Sequence, residues 1–336
     1  MPSCPEERPQ RPRTAAGLFA AALVLALAAL ALALFTGSAQ LGAADVLAAL
    51  GGTAEDTVRA VVLELRLPRA LTAFAVGGLL AVAGVLMQVL LRNPLAEPYI
   101  LGTSGGAAVA ALAMMAAGAG MAAVDGAAFA GALGANLLVF TIARGSGSWT
   151  PTRLLLTGVV LAAGFSAVTT LLLALSPDAH LRGMLFWLMG DLSFAQAPGR
   201  LLALLALLGA GATLAARELN VLARGETEAA ILGLPVTAYR FALFAATALA
   251  VSISVTAVGV IGFVGLVVPH LVRLLSGGDH RLVVPLSPLV GGALLVVADT
   301  AARSLMAPRQ LPVGALTAAL GVPIFLYLMS RTGRLR

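Results

Sequence analysis

Residues 66–111 read RLPRALTAFAVGGLLAVAGVLMQVLLRNPLAEPYILGTSGGAAVAA. Between Arg69 and Arg92 this stretch carries no charged side chain. That length suits one crossing of the hydrocarbon core as an α-helix, which takes about 20 apolar residues. Strand-like alternation is missing, so the roughly ten-residue alternating segments of a barrel do not fit. Further on, Gly102, Gly105 and Gly106 imitate a phosphate loop. Gly102 and Gly106 also have the G-x-x-x-G spacing by which apolar helices approach closely. No His and Asp accompany Ser104 as a nucleophile would require, and helix packing is the reading taken.

Working outward, the same character holds along the chain. Of its 336 residues 60% are hydrophobic and 11% charged, with a mean hydropathy of +0.99, against about 25% charged residues in soluble domains. The apolar mass is Ala, Leu, Val and Gly, with 37 glycines and only 5% aromatics. An all-α integral membrane protein follows, lying in the lipid bilayer. Apolar windows fall at 17–35, 70–91, 99–117, 121–143, 153–175, 200–216, 240–258, 260–276, 283–302 and 313–330. These predict about ten helices. Glycines and Pro269 interrupt the run at 254–275, where two helices meet in a tight or re-entrant turn. The first window follows a basic segment and is longer than a signal peptide's apolar region of about 7 to 15 residues. It is expected to be retained as a span.

All 21 basic residues are arginine. Without lysine the chain cannot build a P-loop, whose lysine reaches the β- and γ-phosphates. If ATP drives this protein, another subunit hydrolyses it. The arginines are scattered among the spans, which points to topology signalling and away from nucleic acid. With ten spans, fourteen arginines fall on the side of both termini and seven on the other, so both termini are expected in the cytoplasm. The expected organisation is a cytoplasmic tail over 1–16, a permease domain over 17–331 and a second tail over 332–336. Within that domain residues 217–240, RELNVLARGETEAAILGLPVTAYR, form a charged cytoplasmic loop.

Little in the chain suggests chemistry. Cys4 is the single cysteine, and His180, His270 and His280 lack the spacing of metal ligands. No bare metal site, cofactor or catalytic residue is expected. Asp299 and Arg303 are spaced i, i+4 and read as a local ion pair. Arg66 and Arg69 stand together against the topological trend, and headgroup anchoring is their bland reading.

Four segments together resemble one family: residues 66–111, GETEAAILGLPV (225–236), GVIGFVGLVVPHLVRLLSGGDHR (259–281) and ADTAARSLMAPRQLPVGALTAALGVPIFLYL (298–328). In order and spacing they look like the FecCD-type permeases, membrane subunits of ABC importers for iron–siderophore complexes, haem and cobalamin. The resemblance implies a ten-helix type II importer fold in the cytoplasmic membrane and a second permease, identical or homologous. It further implies two ATPase subunits using Mg-ATP, and an extracytoplasmic substrate-binding protein. An iron–siderophore is the first expected cargo, with haem or cobalamin as alternatives.

The resemblance also assigns residues. Short helices in the 217–240 loop enter the ATPase, which implicates Gly225, Glu226, Glu228, Ala229, Leu232 and Gly233. Locally, Gly225 and Gly233 bracket a helix of one to two turns with Glu226 near its positive end. Arg66, Arg69 and Arg303 match the arginines that meet carboxylates of the binding protein, where charge pairing supplies orientation and association rate. Arg303 is weakened in that role if Asp299 neutralises it. The pathway narrows in the family near Thr150 and Thr152, which also suit helix capping; Pro151 between them departs from the pattern. Met87 and Gln88 are expected at the pathway or in the core. The rival from another class, an ion-coupled secondary transporter, needs an ionisable group at mid-span.

Overall fold

The computed structural model describes residues 15–37, 39, 41–145, 150–193, 198–307 and 309–332, and for 328–332 the backbone only. The expected tails fall almost wholly outside them. Within them the chain is helical, and no strand occurs.

The elements run α1 (Ala15–Phe35), α2 (Ala43–Gly51), α3 (Asp56–Arg59), a π-helical stretch (Ala60–Arg66), α4 (Leu67–Leu90), a 3-10 turn (Pro98–Leu101), α5 (Thr103–Ala116), α6 (Met121–Arg144), α7 (Pro151–Leu175) and α8 (Asp178–Leu188). They continue with α9 (Pro198–Leu214), α10 (Ala216–Arg224), α11 (Glu226–Ile231), α12 (Val236–Val258), α13 (Val264–Ser276), α14 (His280–Ser304) and α15 (Val313–Thr332). Six helices are long and apolar enough to cross a membrane, and α9 with α10 makes a seventh if that pair, bent by 61°, is one span. The three remaining apolar windows carry shorter helices, α5, α13 and the start of α15.

At the centre stands α4, buried along almost its whole length and packed against α9, α12, α13 and α14. Small residues make this possible. A Cβ on Gly84 would stand 1.9 Å from the Gly265 carbonyl oxygen, and one on Gly77 would stand 2.3 Å from that of Gly291. Lipid supplies no hydrophobic drive between helices, so such backbone contact and its dispersion attraction hold the bundle together. Outside this hub the faces are apolar but open: α7 is exposed over most of its length.

The glycines of LGTSGG do serve packing, though with a different pair from the one expected. Gly106 meets Gly131 of α6, its would-be Cβ 2.4 Å from that carbonyl, and Gly105 meets Phe165 at 2.8 Å. Gly102 instead sits in the left-handed region at φ 73 and caps α5. Here glycine's freedom is used for the turn from the 3-10 segment into the helix. Beside it Thr103 Oγ1 donates to Asn136 Oδ1 at 3.0 Å, tying α5 to α6.

Residues 259–263 form the expected tight turn, an elbow between α12 and α13. Gly259 and Phe263 both have positive φ, 72 and 69. Gly265, just past the elbow, lies against Leu80 and Gly84 deep inside the apolar length of α4. The helix therefore breaks within the bundle rather than at its edge.

Candidate functional site

The charged loop folds as two short helices. Along α10, Leu219 and Leu222 are buried, while Asn220 ties the helix to the start of α14. Asn220 Nδ2 donates to Asp279 Oδ1 at 2.7 Å, and the His280 backbone N–H donates to Asn220 Oδ1 at 2.9 Å. The Asp279 carboxylate, which also accepts from the Arg281 backbone N–H, is held below the usual carboxylate range by these two bonds. Gly225, at φ 149, separates α10 from α11, and Gly233, at φ 83, ends α11.

On α11 the expected contact residues divide. Ala229 is fully buried within its own chain and cannot enter a partner's groove, whereas Leu232 is 66% exposed. Ile231, which the sequence reading passed over, is 80% exposed. Glu226 is engaged as well: its Oε2 lies 2.8 Å from Arg240 Nη1 on α12. Glu228 stays exposed beside Thr227. This end of the bundle thus presents an apolar tip on a helix tethered to the bundle from both sides.

Next to that tip is a cleft of about 910 Å³, lined by Arg92, Thr150, Thr152, Arg224, Gly225, Glu226 and Glu228 among others. The two threonines of the expected gate therefore adjoin the α10–α11 elbow, a proximity invisible in sequence. Thr150 is also a helix cap, its Oγ1 accepting from the Arg153 N–H at 3.2 Å. Pro151 fits the first turn it occupies, where no N–H is needed. Met87 and Gln88 do not line this cleft. Both are buried in α4, and Gln88 bridges to α13, donating to the Leu266 carbonyl at 3.4 Å and accepting from Arg273. Their part is in the packed core.

At the opposite end Arg69 and Arg303 share the Asp299 carboxylate of α14, while Arg66 is held by carbonyls at the end of α1 and just beyond it. Arg69 Nη2 and Asp299 Oδ1 lie 2.8 Å apart, and Arg69 Nη1 donates to Gln310 Oε1. Arg303 stands 3.9 Å from the same carboxylate and donates to the Ala33 carbonyl. Arg66 donates to the carbonyls of Leu34 and Ala39, each at 2.6 Å. Arg66 is 4% and Arg303 8% exposed. The local i, i+4 pair read from the sequence is the longer contact, and Arg69 is the main partner of Asp299.

The ionisable Glu97 was not singled out by the sequence reading. Glu97 lies between Asn93 and the elbow, and its Oε1 accepts from the Phe263 N–H at 2.8 Å. The signal was available in NPLAEPY, but only the fold brings that loop to residues 259–263. Among the described residues no group of three or more His, Cys, Asp or Glu could hold a metal ion.

Comparison with known proteins adds to this geometry. Residues 24–331 match the FecCD transport family. The vitamin B12 import system permease protein BtuC of Escherichia coli O127:H6 is 41% identical over 81% of this chain and 84% of that one. The cobalamin import system permease protein BtuC of Halobacterium salinarum is 42% identical over 82% of this chain and 74% of that one. A solved structure assigned to the metal-chelate type of ABC transporter, in an inward-facing conformation, superposes with a TM-score of 0.81 at 29% identity, covering 94% of this chain and 99% of that one. PsaBC from Streptococcus pneumoniae shares the fold at TM-score 0.56 and 18% identity, over 80% and 93% of the two chains.

Proposed function

Because the chain belongs to the FecCD transport family and is an ABC importer permease of the cytoplasmic membrane, we propose that it imports cobalamin. The iron–siderophore expected from the sequence gives way to cobalamin on one observation: relatives from a bacterium and an archaeon with that cargo match most of the chain. The permease performs no chemistry; partner ATPase subunits hydrolyse Mg-ATP, and a second permease, identical or homologous, completes the pathway. Both termini face the cytoplasm, so α10 and α11 do too.

The α11 tip with Ile231 and Leu232 is the part that enters the ATPase. Ties through Asn220 and Glu226 turn its displacement into rigid-body movement of α12 and α14. Thr150 and Thr152 stand at the gate beside it. At the other end Arg69, the most exposed of the three docking arginines, meets a carboxylate of the binding protein first. Arg66 and Arg303 support it from within.

The test is uptake by the complete transporter, reconstituted in proteoliposomes with its ATPase and binding protein. ATP-dependent accumulation of radiolabelled cyanocobalamin, undiminished by excess ferric siderophore or haem, is expected. Accumulation of a ferric siderophore and not of cyanocobalamin would refute the cargo.

A further inference from the structure

We propose that residues 91–98 form a stiff strut that carries movement of α11 to the elbow between α12 and α13, with Glu97 as its attachment. This rests on the coupling role proposed for α11.

One end of the strut lies in the coupling cleft. Leu91 and Arg92 line it together with Gly225 and Glu226, and Arg92 Nη1 is 4.0 Å from where a Cβ on Gly225 would stand. Arg92 has φ 49 and, with Phe263, is one of two non-glycine residues of positive φ among those described. Such a conformation is unfavourable for a residue that carries a side chain and persists only where surrounding contacts hold it. The two residues in this state mark the two ends of the path.

Between the ends the loop braces itself. The Asn93 N–H donates to the Gln88 carbonyl at 3.1 Å and that of Ala96 to the Asn93 carbonyl at 3.0 Å. Asn93 Oδ1 accepts from the Leu95 N–H at 2.9 Å. Pro94 and Pro98 remove two further backbone freedoms.

The far end grips the elbow at three points. Glu97 Oε1 accepts from the Phe263 N–H, the Tyr99 hydroxyl accepts from that of Ile261 at 3.4 Å, and Pro98 packs on Gly265, Cδ 2.7 Å from a would-be Cβ. The carboxylate lies at the start of α13, where unpaired N–H groups favour negative charge. From the elbow, contact continues to α15, since the Phe263 ring covers Gly321. A shift at the cleft thus reaches a helix break inside the membrane through a loop that has little freedom to absorb it.

Reach is what the strut needs from Glu97, and three substitutions separate reach from charge. Glu97→Gln keeps length and an acceptor, Glu97→Asp keeps charge but retracts, and Glu97→Ala removes both. The measurement is the ratio of chelate imported to ATP hydrolysed by the complete transporter in proteoliposomes, with the chelate that the uptake assay identifies. The Gln variant is expected near the wild-type ratio. The Asp and Ala variants are expected to assemble and hydrolyse ATP while the ratio falls about fivefold or more. A wild-type ratio in the Asp variant overturns the strut, as does a loss in the Gln variant equal to that of Ala. Failure of both short side chains to assemble also overturns it, since Glu97 would then serve only the fold. Ile231→Asp with Leu232→Asp is the control: if that pair leaves coupling intact, the reading of α11 fails; if it uncouples while Glu97→Asp does not, only the strut falls.

Discussion

Arg69 holds Asp299 with two prongs, Nε 2.9 Å from Oδ2 and Nη2 2.8 Å from Oδ1, closing α4 on α14 across 230 residues of sequence. The carboxylate is almost wholly buried, so removing it takes the shared counter-charge from Arg69 and Arg303. Asp299→Ala is expected to destabilise the permease by about 3–5 kcal/mol, read as thermal unfolding in detergent. Arg69→Lys should recover little, because an ammonium cannot make both prongs.

Gly84→Ala puts a methyl where the Gly265 carbonyl already stands, 1.9 Å from its oxygen. Backbone cannot yield as a flexible side chain does. We expect a loss of at least about 1–3 kcal/mol, seen as early aggregation in a thermal ramp. An unchanged melting curve would mean that α4 and α13 are not in backbone contact.

The Glu226–Arg240 pair is half-sheltered, and its worth is on the order of 1 kcal/mol. Glu226→Arg and Arg240→Glu singly should each raise ATP hydrolysis uncoupled from uptake. The double exchange should restore most of the coupling, and a double-mutant cycle measures it. Additive losses would show that the two side chains act separately.

Ile231→Asp and Leu232→Asp alter residues open to water, so thermal stability should move by no more than about 0.5 kcal/mol. Association with the ATPase should fall sharply. Co-purification of permease and ATPase at their native ratio would contradict this.

The Asp279 carboxylate is held below its ordinary pKa in the fold. A depressed folded value means that its stabilising contribution is present above the unfolded pKa, about 3.9, and disappears as pH falls through the folded one. The tie between α10 and α14 should loosen only below about pH 4. Proteolysis within 216–224 is expected to rise there, and Asp279→Asn, which cannot titrate, should lack that step.

Charge-free runs between arginines determined from sequence alone that the chain is a helical membrane protein, because lipid leaves the backbone no other way to satisfy its polar groups. The missing lysine excluded a P-loop from this chain, and the glycines of GETEAAILG bounded a short helix correctly. Those are local properties, set by hydropathy and by the backbone freedom of single residues. What Arg69 binds, why Glu226 is tethered to Arg240, that Ala229 faces inward and Ile231 outward, and that Glu97 reaches Phe263 were decided only by the tertiary structure. Each of these depends on which helix faces which. In a bundle of near-equivalent Ala, Leu and Gly surfaces, hydrophobic pattern does not choose the neighbour; close backbone fit and a few buried polar ties do.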